Sequence, residues 1–280
     1  MHIPEFWVRV SDQQEDRDGR RQTLYAWGWS DEGQAEARSR AQQSLAKLRQ
    51  RIHSKQPLDS GKDYYASDRP LRERILERGP AGSDKTTVLV TRNRLGNRIL
   101  NCRDIWIIDV DLPHASSGLF GFFARQRRAR QREKSLSQLR RWADGGRRLR
   151  IWDTAGGLRA LRLDARIPVN EGLTELKQLG ADPRYADLCQ AQQSYRARLD
   201  PKPWRLGIGR PPQVIDDQLP RDDQGAMADW LRLYQRAAST HATCQFLEDA
   251  GSAAADPRIL ALAQWHDAQT GAGRREQALA

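Results

Sequence analysis

Hydrophobic positions fall into short runs of alternating residues separated by stripes at helical spacing, the pattern of an α+β protein. Residues 5–10 and 22–29 predict two strands around the polar turn Gln13–Gly19. A helix is expected from Ser30, an N-cap followed by Glu32 and Gln34, with Ala37, Ala41, Leu45, Leu48 and Ile52 on one face. Trp27 and Trp29 beside Gly28 belong to this β-β-α unit, placed at residues 1–56. A polar connector, 53–69, leads to a short helix expected over about 70–78. Residues 86–91 and 97–102 predict a hairpin around Asn93–Gly96, and an apolar strand follows over 104–111.

From Ser116 to Lys134 the chain changes character. Gly118-Leu-Phe-Gly-Phe-Phe-Ala leads into six basic residues and is expected as a mobile basic insert, 118–134, ahead of a helix at 134–144. Residues 148–152 and 159–164 predict a second hairpin. Helices are expected at 171–179 and 183–197, then an arginine-rich extended segment through Gly207. The last third predicts helices at 222–238 and 256–269. The chain therefore divides into the β-β-α unit, a central α+β core over 57–215, and a helical C-terminal segment, 216–280. One antiparallel sheet covered by helices is expected to hold strands 86–91, 97–102, 105–111, 148–153 and 159–164.

Charge narrows the classes of partner. The 280 residues carry 47 Lys and Arg against 36 Asp and Glu, a net charge of +11 with His neutral. Such a surface favours polyanions, although arginine-rich composition alone produces the same balance. No run approaches the ~20 apolar residues of a membrane span. No basic stretch followed by an apolar one opens the chain, so no export signal is expected. Cys102, Cys189 and Cys244 are odd in number and far apart, which fits buried thiols in a reducing cytoplasm. His241-Ala-Thr-Cys244 lacks a second ligand pair for zinc, and His266 on an apolar stripe is expected in the core.

Three elements offer chemistry. Strand 105–111 ends in Asp109 and Asp111, two carboxylates on one strand face, a candidate seat for Mg²⁺ or Mn²⁺. The competing expectation is a hairpin-end pair salt-bridged to arginine. Thr154-Ala-Gly156-Gly157-Leu-Arg159 is a turn whose glycines expose backbone N–H groups to a phosphate, with Arg159 beside them. The competing expectation is an ordinary hairpin turn. Arg196, Arg198, Lys202 and Arg205 supply cations for phosphate, and Trp204 a ring to stack on a base. Asp109 and Asp111 are the catalytic candidates of this set.

The order of an apolar strand ending in Asp-x-Asp, a helix and a Thr-x-Gly-Gly hairpin resembles the archaeo-eukaryotic primase and primase-polymerase superfamily over residues 86–165. The resemblance implies a primase-like core in which Asp109 and Asp111 bind catalytic metals. That family places a histidine where this chain has Arg159. Its third aspartate has only Asp164 and Asp216 as candidates here, and both departures put polymerisation in doubt. The whole chain also resembles a widespread bacterial family marked by Met1-His-Ile-Pro4, Ala26-Trp-Gly-Trp-Ser30, Asp109-Val-Asp-Leu-Pro113 and Pro201-Lys-Pro-Trp-Arg205, a resemblance that implies no activity.

The expected function is nucleotide or nucleic-acid binding, with metal-dependent phosphoryl or nucleotidyl transfer at Asp109 and Asp111. One alternative is a catalytically inactive binding module of the same fold. Another is an interaction protein whose 118–134 segment, with Phe120, Phe122 and Phe123, docks a partner or an anionic membrane surface.

Overall fold

In the computed structural model, which describes residues 1–15, 21–54, 70–113, 121–214 and 217–280, the chain opens with a hairpin. The tip of the first polar turn, most of the 53–69 connector, residues 114–120 of the basic segment with Phe120, and Asp216 lie outside the described residues. Strand β1 (Phe6–Glu15) pairs antiparallel with β2 (Arg21–Ser30), and helix α1 (Gln34–His53) covers one face. Val8, Val10 and Ala26 meet Ala37, Ala41 and Leu45 in a small core of their own. Strand and helix touch through Gly28, where a Cβ would stand 2.1 Å from the Ala37 carbonyl oxygen. The helix starts four residues beyond the expected cap. Ser30 Oγ instead accepts from the Glu32 amide and donates to Glu36.

Strands β3 (Arg74–Arg78), β4 (Val88–Arg92), β5 (Arg98–Cys102) and β6 (Ile107–Asp111) come next. Helix α2 (Gly121–Asp144) and the hairpin β7 (Leu149–Thr154) and β8 (Gly157–Arg162) follow. Then come α3 (Val169–Gln178), α4 (Pro183–Gln192) and β9 (Tyr195–Arg198). The chain continues through α5 (Gly225–Ala238), β10 (His241–Ala242), β11 (Cys244–Ala250), α6 (Pro257–Thr270) and β12 (Ala278–Leu279).

The strands expected in one sheet divide between two antiparallel sheets, ordered β3-β4-β5-β9 and β11-β7-β8-β6. The reason is edge occupancy: β5 is paired by β4 on one side and β9 on the other, so β6 finds its ladder with β8. The stretch read as a helix over 70–78 is extended, because β4 offers it an open edge. The 183–197 helix stops at Gln192, where Gln193 turns left-handed at φ 49°, and Tyr195 onward joins β5. Residues 121–134, expected as an insert, are already helical as the first turns of α2. The C-terminal segment contains its helices and also β11, which pairs with β7 as the edge of the second sheet.

The second sheet is covered on both faces, and side-chain alternation along β7 sorts them. Arg150 and Trp152 reach Asp267 of α6, while Asp153 faces away and pairs with Arg132 of α2. Apolar residues from both sheets, α2, α3, α4 and α6 merge into one core around Trp106, Ile108, Leu139, Ile151 and Leu161. Among the described residues no helix is long and apolar enough to cross a membrane.

Candidate nucleic-acid interface

Antiparallel pairing of β6 with β8 sets Asp109 directly opposite Arg159, and Asp111 opposite Gly157. The Arg159 guanidinium donates from Nε to Asp109 Oδ1 at 2.7 Å and from Nη2 to Oδ2 at 3.1 Å. Being interior to its sheet, β8 buries this arginine to 3% exposure, against 28% for Asp109. Its Nη1 donates to the Arg198 carbonyl at 2.8 Å and also reaches Cys244 Sγ and His266 Nε2. An arginine only donates, so His266 accepts at Nε2 and carries its proton on Nδ1. Burial, aided by Arg159 and Arg150, holds the His266 pKa well below the ordinary range, so this core histidine is neutral. Burial likewise pushes the Cys244 thiol up to about 11, which leaves it protonated and inert.

The Thr-x-Gly-Gly turn is spent on packing. Gly157 is buried, and a Cβ there would stand 1.9 Å from the Val110 carbonyl oxygen. Its amide donates to Thr154 Oγ1 at 2.9 Å, and the Gly156 carbonyl accepts from Leu112. The glycines therefore let β6 approach the hairpin closely, and the Gly157 N–H expected to meet phosphate already has a partner. Asp111 remains exposed beside Gly156, and its charge reaches toward Lys202 and Arg205.

The two arginines of β9 that the sequence grouped together share one strand face but meet different partners along it. Arg196 is buried and donates twice to the buried carboxylate of Glu73, at 2.7 and 2.9 Å. Arg198, two residues on along the same face, lies close to Asp109 and gathers with Lys202 and Arg205. None of these three forms a salt bridge among the described residues, whereas Arg92, Arg98, Arg132, Arg150 and Arg159 are all paired with carboxylates. Burial, with Arg198 and Arg205 nearby, lowers the Lys202 ammonium to about 8 despite the opposing pull of Asp111 and Asp109. Arg198 is depressed by burial and by Arg159. Trp204 stands 55% exposed, with Lys202 Nζ 5.3 Å from the centre of its ring.

The loop carrying these groups is fixed from beneath. Asn97 Nδ2 and the Tyr234 hydroxyl both donate to the Pro201 carbonyl, and Asp200 accepts from the Arg98 amide and guanidinium. Met227, Trp230, Leu231 and Tyr234 of α5 hold Leu206 and Ile208. Arg128 of α2, not singled out in the sequence, donates to the carbonyls of Leu112, Pro113 and Ala155 and so ties the end of β6 to the hairpin. Its signal was present: Arg128 and Arg132 lie four residues apart on the face of α2 that meets the sheet, and Arg132 pairs with Asp153.

Both oxygens of Asp109 accept from Arg159, and among the described residues no three His, Cys, Asp or Glu side chains gather in one cluster. What the arrangement offers is unpaired positive charge on one face, an exposed ring and one free carboxylate. Comparison with protein-family models, curated proteins and solved structures yields no match to this chain.

Proposed function

We propose that this chain binds single-stranded nucleic acid, gripping phosphates with Arg198, Lys202 and Arg205 and stacking a base on Trp204. The observation that carries this reading is that three cations gather without salt-bridge partners among the described residues, while neighbouring Arg98, Arg159 and Arg196 are paired with carboxylates. Crowded cations disfavour one another, and a phosphate that settles among them relieves that repulsion. In this reading Asp109 is the counter-ion of Arg159, so the inactive binding module has more support than the transferase. Asp111 alone remains to meet a cation held by a ligand's phosphates.

The test is a salt series with a fluorescent single-stranded oligonucleotide. Log affinity should fall linearly with log salt, and the triple variant R198A/K202A/R205A should flatten the slope by about 2, near 0.7 for each phosphate no longer neutralised. Identical slopes would overturn the assignment. Calorimetry with Mn²⁺ and nucleoside triphosphate separates the catalytic reading. We expect D111N to reduce any Mn²⁺-dependent heat, and a heat abolished by D109N in a folded protein would restore the two-carboxylate seat. The docking alternative keeps one supporting observation, the exposure of Phe122 and Phe123 at the start of α2. The double variant F122A/F123A, which changes only exposed rings, should leave oligonucleotide binding unchanged.

A further inference from the structure

A second basic concavity lies away from the Asp109 face, where the β1–β2 hairpin meets β3, the β4–β5 turn and the segment around Pro211. It is a cavity of about 220 Å³ whose walls, among the described residues, include five arginines and no carboxylate. Two rings, Tyr25 and Trp27, lie on one face of β2 and also line it. Arg9 stacks over Tyr25 at 4.6 Å and Arg72 over Trp27 at 4.5 Å, so the cations are held against the rings.

Its charge is poorly compensated. Arg74 and Arg92 are directly opposed across β3 and β4, an arrangement that destabilises a ladder unless something neutralises it. Arg92 has Asp222, with its Nε 2.7 Å from Oδ1. Arg74 has no salt bridge or side-chain hydrogen bond among the described residues, and burial with nearby Arg221 disfavours its charge against Asp222 and Asp223. The Arg9 Nε is buried without a hydrogen-bond partner, and the contact of its Nη2 with Asp217 is a long 3.5 Å. A buried guanidinium N–H without an acceptor is a group waiting for an anion.

Size and lining select the ligand class. The volume exceeds the roughly 150 Å³ that accommodates a benzene ring, but falls below the about 300–1,000 Å³ typical of drug-sized ligands. One planar ring system fits inside, and the remainder of the ligand must lie on the arginine rim. We propose that this cleft binds an aromatic anion of mononucleotide size, its ring against Tyr25 and Trp27 and its phosphate on Arg74 and Arg9. The assignment is independent of the Asp109 face.

Calorimetry on the full chain at low salt tests it with adenosine 5′-monophosphate, adenosine and inorganic phosphate as separate probes. The monophosphate should bind at least tenfold more tightly than adenosine or phosphate. R74Q, which removes a like-charge opposition and should fold at least as well as wild type, should weaken the monophosphate about tenfold and leave adenosine unaffected. Y25A, at an exposed position, should weaken both ring-bearing probes and spare phosphate. The R198A/K202A/R205A variant should bind the monophosphate as wild type does. Equal binding of the monophosphate by wild type, R74Q and Y25A, or its loss only in the triple variant, would overturn the proposal.

Discussion

Arg159 and Arg198 lie close enough for the guanidinium of one to donate to the carbonyl of the other, yet they have opposite fates. Arg159 is sealed inside the second sheet with a carboxylate set opposite it by the β6–β8 register. Arg198 sits at the end of β9, the edge strand of the first sheet, beside Lys202 and Arg205 and with no carboxylate of its own. The difference teaches that strand register, and not local composition, decides which arginines of a basic protein are structural. A cation across from an aspartate in an interior strand is committed to the fold. A cation on the loop that leaves an edge strand remains available to a ligand.

The comparison breaks most visibly in stability. Asp109→Asn leaves Arg159 buried without its counter-ion, and loss of one partner of a buried pair costs about 3–5 kcal/mol. Because Asp109 is partly exposed, we expect the lower end, about 3 kcal/mol, by urea denaturation. Arg198→Ala should change stability by less than about 1 kcal/mol, or raise it, because it removes an uncompensated cation. The double variant D109N/R159L should recover part of the loss, since it removes both members of the pair. Equal losses for D109N and R198A would erase the distinction between the two arginines.

A smaller effect sharpens the ligand side. If Trp204 stacks on a base, W204A should weaken single-strand binding by about 1–3 kcal/mol without altering the salt slope, because stacking releases no counterions. An unchanged affinity would reduce the interface to its cations. Since Trp204 is largely exposed, its loss should leave the melting temperature within about 2 °C of wild type.

Much of the fold was legible. The β-β-α unit, both central hairpins and the stripes of α1, α5 and α6 follow from periodicities of two and of 3.6 residues, which local sequence carries. Pairing between distant segments was not legible. Arg74-Ile-Leu-Glu-Arg78 has the charge and leucine content of a helix, and only the free edge of β4 makes it a strand. Cys244–Ala250 mixes polar and apolar residues with a register shift between Phe246 and Glu248, so its alternation is broken where β11 meets β7. In the candidate site, Asp109 and Arg159 were each marked, but their ion pair depends on two strands fifty residues apart meeting in one register. The split of Arg196 from Arg198 was not readable, because alternation puts both on one face of β9 and only the distant Glu73 and Asp109 distinguish them. The Tyr25 cleft was invisible because β1, β2, β3, β4 and the loop after Ile208 each contribute part of its wall.

The finest test of the comparison is pH. A guanidinium such as that of Arg159 stays charged throughout the accessible range. Lys202 does change, because burial and its arginine neighbours bring its ammonium to about 8. A bound phosphate favours the charged lysine, so binding takes up a proton near pH 8 and weakens as pH rises through that value. Between pH 7 and pH 9 we expect the affinity for a single strand to fall by up to about tenfold, the limit set by one required proton. K202R should remove the dependence, since arginine remains protonated, while W204A should retain it. Stability should move in the opposite direction. The unfolded lysine holds its proton up to its ordinary value of 10.5, so between about 8 and 10.5 the unfolded chain binds more protons than the folded one. Stability attributable to Lys202 therefore rises with pH across that window, and below it the full penalty of the buried ammonium remains. A titration in which wild type and K202R lose affinity in parallel would assign the pH effect elsewhere and return Lys202 to the solvated surface.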